Sequence, residues 1–162
     1  AEVETPGANT NGVILCQAGR FGGWSLYVKD GKPIYTYNWV GLKEFTVAST
    51  QPLPAGKATV RFDFVYDGGG LGKGGTGTLF VNGQQVATGR IDATQAAVFS
   101  ADEGADVGSD EGTAASSAYS VPFKFTGKIR KVTVDLKPTP TADAAEAEKA
   151  RRQTEIRMAG SN

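Results

Sequence analysis

Histidine is missing from all 162 residues, and cysteine and methionine occur once each. Without histidine the chain cannot build a Ser-His-Asp or Cys-His site of its own, and it lacks the commonest metal ligand. A lone Cys16 cannot close an internal disulfide, so cysteine usage leaves the redox compartment open. No apolar run approaches the ~20 residues that a membrane helix needs, so membrane insertion is not expected. The 17 basic and 17 acidic residues cancel. That balance gives no electrostatic footprint for nucleic acid or an anionic membrane. The chain opens at Ala1 with neither Met nor a signal-peptide pattern, as expected of a processed product or a piece of something longer.

What is present is glycine, 22 residues of it, and 9% aromatics set in strand-like runs. A chain of this length can bury roughly 68–70% of its unfolded surface in one domain. The stretch from Arg20 to Asn38 reads as two strands around Asp30-Gly31. Those two residues supply the positive φ angles of a type I′ turn, whose twist matches the strands it joins. Counting outward pairs Lys29 with Lys32, Val28 with Pro33, Leu26 with Tyr35 and Trp24 with Tyr37. Trp24, Leu26, Val28, Tyr35 and Tyr37 then share one face, which needs a second sheet or a ligand to cover it, while Ser25, Tyr27, Ile34 and Thr36 share the other.

In chain order, residues 1–11 read as a flexible polar arm and Gly12 to Ala18 as a strand buried on both faces. Glu44 to Ser49 follows as a strand, and 52–56 is a break. Lys57 to Tyr66 alternates cleanly, with Ala58, Val60, Phe62, Phe64 and Tyr66 inward. The loop 67–75 holds six glycines (Asp67-Gly68-Gly69-Gly70-Leu71-Gly72-Lys73-Gly74-Gly75) and is too flexible to hold itself without neighbours. A second hairpin turns at Asn82-Gly83. Brief strands are expected at Val98-Phe99 and Asp106-Val107, and a long closing strand from Phe123 to Leu136. Its apolar phase slips, which a bulge near Lys128–Arg130 would reconcile. Thr141 to Met158 reads as a helix, with acids early, bases late and a Glu148–Arg152 pair. Roughly nine or ten strands without alternating helices imply an all-β, two-sheet antiparallel sandwich or jelly roll over 12–137, with a Pro-rich linker and helical tail over 138–162.

Several patterns resemble sites without meeting their requirements. Gly70 to Gly75 satisfies G-x-G-x-x-G, but a strand follows where a dinucleotide fold needs a helix. A loop docking against a partner through Leu71 and Lys73 is the sharper expectation. Asp102, Glu103, Asp106, Asp110 and Glu111 could supply oxygen ligands for calcium, the one cofactor the sequence raises, although their spacing is not an EF-hand's. A solvated acidic loop competes with it. Trp24 and Tyr35 read as core, whereas Tyr37 and Trp39, nearer a strand end, are candidates for a carbohydrate- or partner-binding surface. Cys16-Gln17-Ala18-Gly19-Arg20 resembles the sulfatase signature C-x-P/A-x-R, yet a cysteine in a buried strand acts as a small hydrophobe.

Arg20 to Val28, Asp30-Gly31-Lys32-Pro33, Tyr37-Asn38, Gly41-Leu42, Pro54-Ala55-Gly56, the 67–75 loop and the run from Phe99 to Glu103 with Asp106-Val107-Gly108 resemble, in order, the C-terminal region of bacterial arylsulfatases. The resemblance spans about residues 12–136. It implies a non-catalytic concanavalin-like or laminin-G-like sandwich that packs on, and helps shape the entrance of, a catalytic sulfatase domain. Sulfate-ester hydrolysis, with its formylglycine and calcium, would belong to that other domain, and no catalytic residue carries over. The family setting implies a periplasmic or extracellular location. For a stand-alone chain the expectation is carbohydrate binding or self-assembly, with the N-terminal arm and C-terminal helix docking on neighbouring copies.

Overall fold

The Asp30-Gly31 turn forms as its residues dictate, with φ of +50° and +76°. In this computed structural model it joins two of ten strands: Glu2–Pro6 (β1), Gly12–Gly19 (β2), Gly22–Lys29 (β3), Lys32–Trp39 (β4), Lys43–Ala48 (β5), Ala55–Tyr66 (β6), Gly75–Val81 (β7), Gln84–Ile91 (β8), Ala105–Val107 (β9) and Lys128–Lys131 (β10). The structure describes residues 1–96, 99, 103–137, 145, 148, 149 and 152. β3 and β4 pair in the expected register, with Leu26 opposite Tyr35 and Trp24 opposite Tyr37. Asn82 and Gly83, at +50° and +81°, make the second turn of the same kind between β7 and β8.

The strands form two antiparallel five-stranded sheets, ordered β10-β1-β6-β7-β8 and β5-β4-β3-β2-β9. The fold is an all-β sandwich. Between the sheets, Leu26, Val28, Tyr35, Tyr37, Phe45, Val47, Val60 and Leu79 form the main core. Tyr35 stacks on Phe62 of the facing sheet with centroids 3.6 Å apart, and Trp24 lies beyond it at 6.1 Å. The aromatic face of the opening hairpin is therefore covered by a second sheet. Two glycines facing each other in the β7–β8 ladder, Gly77 and Gly89, make room at one edge. A Cβ on Gly89 would lie 3.0 Å from the Val47 methyl, and one on Gly77 would lie 2.6 Å from the Phe62 ring.

Three expectations need correction. Residues 1–11 are no loose arm: β1 sits between β10 and β6, with Val3 and Thr5 pointing inward between Glu2 and Glu4. Its short alternation is a strand pattern, and the partners that secure it, β6 and β10, lie some fifty and more than a hundred residues away. The closing strand is also shorter than Phe123 to Leu136, because only Lys128–Lys131 pairs, and Val134 and Leu136 are exposed. The phase slip does end in a bulge, since Glu2 pairs with Lys131 and Val3 with Ile129, skipping Arg130. Ile129 and Val132 can then both pack on the core. Finally, Phe99 is a bend residue rather than a strand residue, and Val98 lies outside the described residues. Of the tail expected to be helical, Ala145, Glu148, Lys149 and Arg152 have helical backbone, with Arg152 donating to Glu148 at 3.0 Å. The rest of the segment from 141 to 158 lies outside the described residues.

The second sheet is covered on its outer face as well. Residues 108–126, between β9 and β10, cross it as a strap. Tyr119 meets Tyr27 edge-on at 5.1 Å and stacks on Phe123 at 4.7 Å, with Val13, Cys16 and Ile34 alongside. A bulge in β2 makes this two-sided burial workable. Val13 pairs with Tyr27 and Leu15 with Leu26, so Ile14 and Leu15 both turn to the main core while Val13 and Cys16 face the strap.

Candidate functional site

Four connections meet at one end of the sandwich: the β2–β3 turn, the β4–β5 turn, the glycine loop before β7, and the chain after β8. Asn38 ties the first two together. Its amide nitrogen donates to the Gly19 and Arg20 carbonyls at 3.3 and 3.1 Å, and its Oδ1 accepts from Gly41 at 2.9 Å. A Cβ on Gly41 would lie 3.7 Å from the Phe21 Cα. The two turns thus lie against each other, and Phe21 on one and Leu42 on the other are 80% and 78% exposed. Among the described residues these are two of the three most exposed large apolar side chains, with Leu136.

The glycine loop is held by its neighbours. Tyr66 Oη donates to the Gly70 carbonyl and accepts from the Lys73 amide, the latter at 2.9 Å. Asp67 receives a two-pronged grip from Arg90 at 3.0 and 2.7 Å, and this pairing holds the Asp67 carboxyl below its ordinary pKa. Thr94 donates to the Lys73 carbonyl at 2.7 Å, and the next amide, Gln95, donates to Tyr37 Oη at 2.7 Å. Tyr37 and Lys73 are therefore linked through one short chain of contacts, with Leu71 two residues before Lys73 in the same loop and Trp39 two residues further along β4. Tyr37 is nonetheless buried, its ring edge-on to Phe99 at 5.6 Å, so only Trp39, Leu71 and Lys73 of these four reach the surface.

The acidic residues are put to a different use. Asp110 is only 2% exposed. Its carboxylate accepts from the Ala115 amide at 3.0 Å and from Tyr119 Oη at 2.6 Å, and Tyr119 also reaches Ser25 at 3.0 Å. Burial first, and then the Asp110 bond, push the Tyr119 phenol well above its ordinary pKa. Glu103 accepts from the Thr113 amide and hydroxyl at 3.1 and 3.0 Å. Glu44 of β5 accepts from Ser116 Oγ at 3.2 Å and from the Ser117 amide at 2.7 Å. These carboxylates anchor the strap. Asp106 is exposed on β9, Glu111 is exposed in the strap, and Asp102 lies outside the described residues. Among the described residues no group of three or more His, Cys, Asp or Glu is placed to hold a metal.

Cys16 is buried under the strap, its thiol 3.8 Å from the Ser109 carbonyl. Burial, reinforced by the negative charges of Asp110 and Asp106, pushes its pKa up to about 12. The thiolate that nucleophilic chemistry needs is disfavoured there. No family model, no curated protein and no solved structure matches this chain.

Of the surface expected from the sequence, Trp39, Leu71 and Lys73 are at this rim and Tyr37 is buried beneath it, while Phe21, Leu42 and the strap anchors were not foreseen. One signal was available. Gly22 to Val28 and Pro33 to Trp39 contain no charged residue on either face, as expected for strands covered on both sides.

Proposed function

We propose that this chain is a non-catalytic accessory β-sandwich that docks on a catalytic sulfatase-type domain through its turn rim, in an exported enzyme. The exposed Phe21 and Leu42, borne on two adjoining turns, carry this proposal. Paired apolar side chains held out on rigid turns lose little conformational freedom on docking, which suits them as anchors at the centre of an interface. The thiol and three of the carboxylates being used internally is consistent with a packing role. The sequence resemblance supplies the class of partner.

The test pairs the purified chain with the separately produced catalytic domain of a bacterial arylsulfatase lacking its own C-terminal region. The expected result is no aryl-sulfate turnover by the chain alone, and co-elution of the two proteins that is lost in a Phe21→Ser/Leu42→Ser variant. Turnover by the chain alone that survives Cys16→Ala would overturn the proposal. Co-elution unaffected by the double variant would overturn the assigned surface. Trp39, half-buried at the same rim, favours carbohydrate binding as a second reading. Hits on a glycan array that disappear in Trp39→Ala would select it.

A further inference from the structure

The chain contains two Asn-Gly pairs, Asn11-Gly12 and Asn82-Gly83, and the fold treats them differently. We propose that Asn82 is a site of spontaneous deamidation in the folded protein and that Asn11 is protected. In this reaction the Gly83 backbone nitrogen attacks Asn82 Cγ. The new C–N bond forms as the Cγ–Nδ2 bond breaks, and ammonia leaves with the proton of the Gly83 amide. Water then opens the five-membered imide at either carbonyl, leaving aspartate or isoaspartate with one new carboxylate. Water and mild alkali are the only co-reactants.

At Asn82 the approach is open. Both turn residues are exposed, and a Cβ on Gly83 would meet nothing within 4 Å. Asn82 Oδ1 accepts from the Thr59 amide at 2.8 Å, which polarises the Cγ carbonyl toward attack. Among the described residues, neither the leaving Nδ2 nor the Gly83 amide has a hydrogen-bond partner. Swinging the tip into a reactive geometry disturbs the last pair of the hairpin, Val81 with Gln84, and the bond from the Asn82 amide to the Thr59 carbonyl at 2.9 Å, and no other strand pairing.

At Asn11 the leaving amide and the attacking glycine are both held, which sets it apart from Asn82. Its Oδ1 accepts from the Asp30 amide at 2.9 Å, its Nδ2 donates to the Asn9 carbonyl, and its own amide donates to Thr126 Oγ1 at 2.9 Å. Gly12 pairs with Val28 inside the second sheet, where a Cβ would run into the Lys124–Phe125 backbone. Attack there requires the strap and β2 to open together.

The consequence at Asn82 is local but defined. Isoaspartate inserts one extra main-chain carbon into a two-residue turn, which shifts the Val81–Gln84 register. The new charge enters a surface depression that Lys57 and Arg130 also line.

The test is incubation of the folded full chain at mildly alkaline pH, followed by peptide mapping and labelling with an isoaspartyl methyltransferase. The acid form is expected to accumulate in the Asn82 peptide roughly tenfold faster or more than in the Asn11 peptide, a ratio set by the cost of opening the second sheet. In denaturant the two rates should converge. Equal rates in the folded chain, or no reaction at Asn82 while the denatured chain reacts there, would overturn the proposal. Asn82→Gly keeps a residue that suits the turn and should abolish the label; a label that persists would place the site elsewhere and overturn it as well.

Discussion

The two sheets of this sandwich share a core and differ on their outer faces. The second sheet is roofed by the strap, whose aromatic side chains close over Tyr27 and whose backbone is tied down by Asp110, Glu103 and Glu44. Among the described residues, nothing roofs the outer face of the first sheet in the same way. There Arg61 lies over Phe80 at 4.1 Å, Thr78 faces Thr88 at 3.4 Å, and Val65 is 67% exposed. Equivalent positions on two paired sheets are thus under different constraints. On the roofed sheet both faces of each central strand are interior, so side-chain size matters at every position. On the open sheet it matters at every second one.

Substitutions on the two outer faces should separate accordingly. Tyr27→Ala removes a 1%-exposed ring from the roofed face and should cost about 3–5 kcal/mol in urea unfolding, like other large aromatic truncations. A loss below ~1 kcal/mol would mean that the strap is not packed as described. Asp110→Ala leaves the Tyr119 hydroxyl and the Ala115 amide without their acceptor and should cost about 1–3 kcal/mol. Tyr119→Phe in that background should then add only the loss of its contact with Ser25, because the bond to Asp110 is already gone.

The next effect is read from reactivity and pH. With its folded pKa raised to about 12, Cys16 keeps its proton in the fold after the unfolded chain, near 9, has lost it. Its contribution is fully present below pH 9 and is lost as pH rises toward 12, so alkaline stability should fall less steeply in Cys16→Ala. Native protein at pH 8 should resist a thiol reagent that labels the unfolded chain promptly. The smallest effect belongs to the open face, where Arg61→Ala should stay within about 0.5 kcal/mol of the parent. A cost comparable with that of Asp110→Ala would erase the distinction between the sheets.

The same contrast explains what could be read beforehand. Asp30-Gly31 and Asn82-Gly83 encode their turns locally, and the alternation of β6 encodes its inner face through Ala58, Val60 and Phe62, so registers and core were legible. Alternation also foretold too much, because Phe64 continues the pattern yet emerges at the surface where the sheet ends. The strap had no such code. Its segment is short-range polar text, rich in Ser, Ala and acids, and becomes a cover only because Tyr119 and Phe123 meet Tyr27 across some 90 residues. The acids were legible as oxygen donors, but nothing local showed that Asp110 would turn inward to backbone and phenol groups. The rim was legible in part, since Trp39 and Lys73 stand at the surface while the Tyr37 hydroxyl is taken by Gln95.

The strap can also be understood as a binding partner supplied in cis. It meets the second sheet as one protein meets another, with stacked aromatic anchors at the centre and, around them, hydrogen bonds accepted by Glu44 and donated by Lys29. Because strands on both sides tether it, its local concentration over that face is of the order of millimolar or more, and modest contacts suffice to keep it seated. A foreign segment competing for the Tyr27 face must outbid a ligand that never diffuses away. That asymmetry reserves the face for the chain's own use and leaves the rim and the open sheet as the surfaces on which another molecule can act.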